Sequence, residues 1–152
     1  MANPIKVLTP DNVESIYDLE MERLASIESD EMQRNLISWE SPWRKESLNH
    51  YANTGWSFIM HSENDSNKVL GYILGQAFVF FRNQTQTLWI EHLGATSTEV
   101  TEELVEVAYR WARDKHLQRV IFHQANEYSE YIKSFKGYLV SAGDWEIKTT
   151  KG

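Results

Sequence analysis

Leu88-Trp-Ile-Glu-His-Leu-Gly-Ala-Thr-Ser-Thr-Glu-Val-Thr-Glu-Glu-Leu-Val-Glu-Val-Ala-Tyr-Arg-Trp111 changes character at its middle. Its first part belongs to a partly alternating run, Gln84 to Leu93, rich in β-formers, which reads as a strand. Its second part carries Val100, Leu104, Val107, Ala108 and Trp111 at i, i+4, i+7, i+8 and i+11, one face of a helix. Ser97 or Thr98 can cap the helix start, and Glu99, Glu102 and Glu103 suit its positive dipole end. Arg110, Arg113, Lys115 and His116 suit the other end. A strand feeding a helix, followed by the short apolar run Arg119-Val-Ile-Phe-His123, is the pattern of a crossover to a parallel strand.

Upstream of this unit, Gly55 to His61 and Lys68 to Phe81 are strand-like runs. The polar link His61-Ser-Glu-Asn-Asp-Ser-Asn67 has hairpin length, so the three strands read as an antiparallel meander. Further upstream, Ile5 to Leu8 reads as a first strand and about 11–25 as a helix. A second helical region, 30–52, breaks at Ser41-Pro42 into 30–39 and 43–52. Downstream, Ala125 to about Phe135 reads as a helix and Trp145 to Thr149 as a last strand. The predicted class is α+β, with order β-α-α-β-β-β-α-β-α-β and a central mixed sheet flanked by helices. At 152 residues a single domain over 1–152 is expected.

Composition removes several function classes. Fifteen Lys and Arg stand against 22 Asp and Glu, a net charge of −7, the wrong sign for a nucleic-acid footprint. The absence of cysteine excludes disulfides, thiolate metal sites and a cysteine nucleophile. No histidine or carboxylate spacing marks a metal site, and no Walker or G-x-S-x-G loop occurs. The longest apolar runs fall short of the ~18–20 residues of a membrane span, and the start carries no signal peptide. A soluble, cytoplasmic protein with no nucleic-acid or membrane partner is the expectation.

Four local patterns, in order, resemble the GCN5-related N-acetyltransferase (GNAT) superfamily. Val69-Leu-Gly-Tyr-Ile-Leu-Gly75 resembles its V-x-G-Y/F-x-x-G strand, and Ile90-Glu-His-Leu93 the central strand before its cofactor loop. Leu104 to Ala112 resembles the helix after that loop, and Asn126 with Lys136-Gly-Tyr138 its N…LGF ending. More weakly, Pro42-Trp43 through Leu48 is similar to the P-W-S-x-x-x-F segment of ribosomal-protein alanine acetyltransferases. The resemblance implies transfer of an acetyl or acyl group from acetyl-CoA or a related acyl-CoA to an amine, either a small molecule or a peptide or protein N-terminus. It implies Glu91 as general base. It also implies a tyrosine acid on the last helix. The family spacing from Gly137 lands on Lys133, with Tyr128 and Tyr131 close by, and Tyr131 is the candidate. Cofactor contacts are implied at Leu93, Ala95, Thr96, Ser97, Thr98 and Asn126, and an acceptor side at Trp39, Trp43, Tyr51 and Trp56.

One segment departs from the pattern. The family loop has the form Q/R-x-x-G-x-G/A, whose backbone N–H groups meet the pyrophosphate. Here Gly94-Ala-Thr-Ser-Thr-Glu-Val-Thr-Glu-Glu103 is shorter, holds no Arg, Lys, Gln or second Gly, and carries three glutamates. This degenerate cofactor loop opens a second reading, a GNAT-fold binding or protein-interaction module that has lost catalysis. A third is an unrelated α+β structural module. His92 has a suitable intrinsic pKa for proton transfer, but strict alternation turns it away from Glu91, so only one of the two is expected in the cleft.

Overall fold

The computed structural model describes residues 3–80, 85–141 and 143–149. Strands β1 (Ile5–Val7), β2 (Phe58–His61), β3 (Val69–Phe80), β4 (Thr85–Ala95), β5 (Arg119–Phe122), β6 (Tyr138–Ser141) and β7 (Asp144–Lys148) form one sheet of order β1-β2-β3-β4-β5-β7-β6. The helices are α1 (Val13–Ile27), α2 (Glu31–Glu40), α3 (Lys45–Ala52), α4 (Thr98–Asp114) and α5 (Ser129–Lys133). β1 to β4 are antiparallel, β4 and β5 are parallel across the α4 crossover, and β7 is antiparallel to both its neighbours. The mixed sheet and the crossover match the expectation.

Alternation along β3 divides two cores. Ile73 points toward α4 and joins Leu88, Ile90, Leu104, Val120 and Phe122; Tyr72 and Leu74 point the other way and join Ile16, Leu24, Leu48 and Ile59. Each fully buried Leu or Ile contributes about 1.5–3 kcal/mol. Helix α4 sits close to the sheet because position 71 is glycine: a Cβ there would stand 2.6 Å from Val100 Cγ1. The buried stripe of α4 is Val100, Leu104, Val105, Ala108 and Ala112, rotated from the predicted face, which leaves Val107 and Trp111 half-buried.

Three local expectations are corrected. The helix of about 125–135 is a 3-10 turn, Asn126–Tyr128, followed by the five-residue α5. Lys136 takes a positive φ of 64°, which ends it. Strand β6 was not anticipated; it pairs only with β7 at the sheet edge and leaves Leu139 and Val140 exposed, so no buried alternation announces it. The second strand starts at Phe58: the Trp56 N–H donates to the Thr54 hydroxyl, and Ser57 meets Gly75 through its side chain. The expected strand ends at Phe81 and Gln84 lie outside the described residues.

Candidate active site

The parallel ladder of β4 and β5 runs from Thr87 against Arg119 to Ile90 against Phe122, and the His123 N–H closes it on the Ile90 carbonyl at 2.9 Å. The chain after β5 then turns away through Gln124, at φ 46°. Strand β4 continues to Ala95 with a partner on one side only, β3. From Glu91 to Ala95 its edge toward β5 has no ladder partner among the described residues.

A bulge lies at the point of separation. Leu74 pairs with His92, but Gly75 pairs with Ile90, so Glu91 is an extra residue on β4. A bulge breaks strict alternation and re-aims side chains. This corrects the expectation that Glu91 and His92 oppose each other: both line one cavity of about 540 Å³, together with Glu40, Arg44, His123 and Glu127. A second cavity, of about 400 Å³, lies along the open β4 edge between α1, the start of α4 and α5. His92 and Glu127 line both cavities.

Hydrogen bonds fix the first of these cavities. Trp89 Nε1 donates to Glu91 Oε2 at 2.7 Å, and the Trp89 ring lies 5.1 Å from that of His123. His123 Nδ1 stands 2.8 Å from Asp144 Oδ1, which also accepts from the Gln124 N–H at 3.0 Å. Burial and then the Glu91 charge raise the pKa of the Tyr51 hydroxyl, which keeps that group protonated beside the carboxylate.

A charged cluster from α1 closes the inner end of the second cavity. Glu20, nearly buried, accepts from Arg23 Nη1 at 3.1 Å, and burial pushes its pKa up. His92 is held down to about 4 by burial and by Arg23, and its ring lies 5.7 Å from Tyr72. The Tyr72 hydroxyl is fully buried and feels the Glu20 charge, yet makes no hydrogen bond of good geometry. A Cβ on Gly94 would stand 2.4 Å from the Tyr72 ring, so glycine is required where β4 passes it.

The other candidates divide. Leu93, Ala95, Thr98 and Tyr131 line the second cavity. Thr96 faces a smaller cavity, of about 320 Å³, beside Asp18 and Lys68, on the far side of α1. Ser97 caps α4, its hydroxyl accepting from the Val100 N–H at 3.3 Å. The Asn126 amide oxygen accepts from Trp145 Nε1 at 2.8 Å and so anchors β7. The four acceptor-side aromatics do not form a cluster. Trp43 is buried against Tyr17, Trp56 packs on Trp111 beyond the other face of the sheet, and Trp39 is 65% exposed. Tyr51 alone of the four is electrostatically coupled to Glu91. Aromatic spacing gave no face information across the helix break, so core and surface residues looked alike.

Glu20, Arg23, His123 and Glu127 were missed. Glu20 left a signal: Val13, Ile16, Glu20 and Leu24 form the buried stripe of α1, so a carboxylate interrupts an apolar face. His123 and Glu127 left none, because their placement depends on where β5 separates from β4. Among the described residues no group of three metal-ligating side chains occurs, and no helix is long and apolar enough to cross a membrane.

No family model matches the chain, and no curated protein does. Solved structures do match. A probable acetyltransferase from Staphylococcus epidermidis aligns over 98% of this chain and 100% of its own, at TM-score 0.68 and 11% identity. The PaiA N-acetyltransferase of Thermoplasma acidophilum, solved with coenzyme A, aligns over 97% and 99%, at 0.67 and 16%. The polyamine N-acetyltransferase of Drosophila melanogaster, which forms N-acetylagmatine, aligns over 92% and 85%, at 0.67 and 10%. With the β4 bulge, the parting of β4 from β5 and the seven-stranded order already in place, these alignments show that the chain has the GCN5-related N-acetyltransferase fold.

Proposed function

We propose that this protein is an N-acyltransferase that moves an acyl group from a thioester of the coenzyme A type to a primary amine. The observation that carries the reading is the unpartnered β4 edge, Glu91 to Ala95, standing between two cavities that share His92 and Glu127. An extended arm bearing amides suits such an edge as an added strand. Glu40, Glu91 and Glu127 favour a cationic acceptor in the other cavity, against Arg44 alone. Amine acceptors of the structural neighbours, polyamines and agmatine among them, fit the same chemistry.

The thioester supplies an activated acyl carbon and a thiolate leaving group. Glu91 is the proposed base, taking a proton from the acceptor amine directly or through water; Trp89 fixes its carboxylate. His92, neutral at physiological pH, lies between the two cavities and orients the acceptor without competing for a cation. Tyr131 is the proposed acid for the departing sulfur. A C–N bond forms as the C–S bond breaks.

The test is thiol release. Because the chain has no cysteine, a chromogenic disulfide reports free thiol with no background from the protein. Acetyl-CoA at millimolar concentration with agmatine, spermidine and short peptides should release thiol, and Glu91→Gln should lower kcat by about a hundred-fold with little change in donor KM. If no amine releases thiol from acetyl-CoA or from acetyl-pantetheine and neither donor gives a thermal shift, the second reading, a non-catalytic binding module, takes its place. That reading is favoured by one observation: at the start of α4 the Thr96 and Val100 N–H groups are already bonded within the chain.

A further inference from the structure

The two halves of a coenzyme A thioester meet unlike surroundings here. The pantetheine half is uncharged and carries two amides. The five residues Glu91 to Ala95 offer it an open strand edge of about 13 Å at ~3.3 Å per residue. The nucleotide half presents a diphosphate, which needs N–H donors or cations at the start of α4.

Two of those N–H donors, on Thr96 and Val100, are engaged within the chain. The Thr96 N–H and hydroxyl both donate to the Leu70 carbonyl, at 2.9 and 3.0 Å. The Val100 N–H donates to Ser97 Oγ, and the Thr98 hydroxyl donates to Glu99 Oε2 at 3.4 Å. Ser97 is thus the helix's own cap, at the Val100 N–H. The walls are acidic as well. Glu20, Glu127 and Glu130 line the cavity, and Glu99 stands in the first turn of α4. Among the described residues, Arg23 is the only Lys or Arg lining this cavity, and it is bonded to Glu20. The residues present therefore fit the arm and fit a diphosphate poorly, because the lining is acidic, Arg23 is paired and the Val100 N–H is capped.

We infer that the preferred acyl donor is a pantetheine thioester without the nucleotide diphosphate, either free acyl-pantetheine or acyl-phosphopantetheine carried on a protein. The inference rests on the acyltransferase reading. The transfer balances as before: the acyl carbon leaves sulfur for the amine nitrogen, and the amine's displaced proton ends on the released pantetheine thiol.

The experiment compares kcat/KM for acetyl-pantetheine, acetyl-CoA and an acetylated carrier protein with one amine, at low and at ~300 mM salt. Acetyl-pantetheine should equal or exceed acetyl-CoA, whereas an enzyme that uses the nucleotide half loses rate when it is removed. Salt should raise the acetyl-CoA value about three-fold by screening the glutamates, and leave acetyl-pantetheine flat. Glu99→Gln, at an exposed position, should shift the ratio toward acetyl-CoA by about three-fold. A carrier-protein rate above that of acetyl-pantetheine identifies the carried donor; a lower one identifies the free thioester. An acetyl-CoA value about ten-fold above acetyl-pantetheine overturns the inference and leaves the acyltransferase standing. Transfer from none of the three donors overturns both.

Discussion

Replacing Tyr72 by Phe should make the protein more stable. The Tyr72 side chain is 0% exposed, its ring packs against Gly94 and lies 5.7 Å from His92, and its hydroxyl interacts with Glu20 but makes no hydrogen bond of good geometry. A buried hydroxyl without a well-formed hydrogen bond carries a desolvation cost of up to about 1–3 kcal/mol. Phenylalanine keeps the ring and removes that cost. The gap left by one oxygen offsets part of the gain, roughly 0.3 kcal/mol at ~24 cal/mol per Å³. Losing the hydroxyl dipole beside Glu20 offsets a little more, since that hydroxyl favours the Glu20 charge. The net expectation is a gain of about 1 kcal/mol, or roughly 2–4 °C in Tm for a chain of this size. Urea unfolding followed by tryptophan fluorescence measures it, with an unchanged slope. A loss of about 1 kcal/mol would refute the reasoning, because the hydroxyl would then be donating to Glu20. A double-mutant cycle with Glu20→Gln separates the cases: the present geometry predicts a coupling well below the ~1 kcal/mol of a formed hydrogen bond.

Gly94→Ala should cost about 1–3 kcal/mol, since its Cβ would meet buried Tyr72 ring carbons at 2.4 and 2.6 Å, and Tyr72→Phe should not rescue it because those carbons remain; thermal unfolding of both variants checks this. Burial and Arg23 hold His92 at about 4 when folded, against an ordinary 6.5, so its neutral form stabilises the fold above pH 6.5 and this is lost as pH falls toward 4. The change is at most about 3 kcal/mol, at ~1.4 kcal/mol per unit, and Glu20, raised by burial, titrates in the opposite sense above 4.5. His92→Gln should flatten stability between pH 6.5 and 4, and an unchanged slope in urea titrations would sink the assignment. Glu146, 3% exposed, accepts from Arg119 Nη1 at 3.0 Å and from the Tyr138 hydroxyl. Glu146→Leu should therefore cost about 2–3 kcal/mol, and adding Arg119→Met should recover most of it in denaturant unfolding.

Much of the fold was legible because its signals are local. The existence of α4, a cap at Ser97 or Thr98 and the meander were readable from period, capping chemistry and gap length, although the buried face of α4 is rotated from the one its period suggests. The V-x-G-Y-x-x-G glycines were readable by resemblance. Gly71 admits α4, and Gly75 is where Ser57 and Thr54 hydroxyls replace ladder partners on its backbone. What was not legible depends on partners distant in sequence. Strand β6 exists through β7 alone, and the fate of Trp43 and Trp56 was decided by which side of the sheet each approached. Asn126 kept its place in the pattern, but its amide oxygen serves Trp145.

The bulge at Glu91 matters most for the site, and no period argument could have found it. One extra residue opposite Gly75 puts two consecutive side chains, Glu91 and His92, on the same cavity wall. Without it, alternation would place one of them in a core, and either the base or the neutral ring between the cavities would be lost. The same bulge sits where the β4–β5 ladder ends, so it also sets where the open edge begins. The acyl-transfer geometry therefore depends on the β4 backbone, whereas the choice of donor depends on the side chains at the start of α4 and on Glu20, Glu127 and Glu130. These can change independently. A fold that preserves the first and alters the second keeps the reaction and exchanges the donor, which is why the ratio of acetyl-pantetheine to acetyl-CoA is the more informative measurement than activity with acetyl-CoA alone.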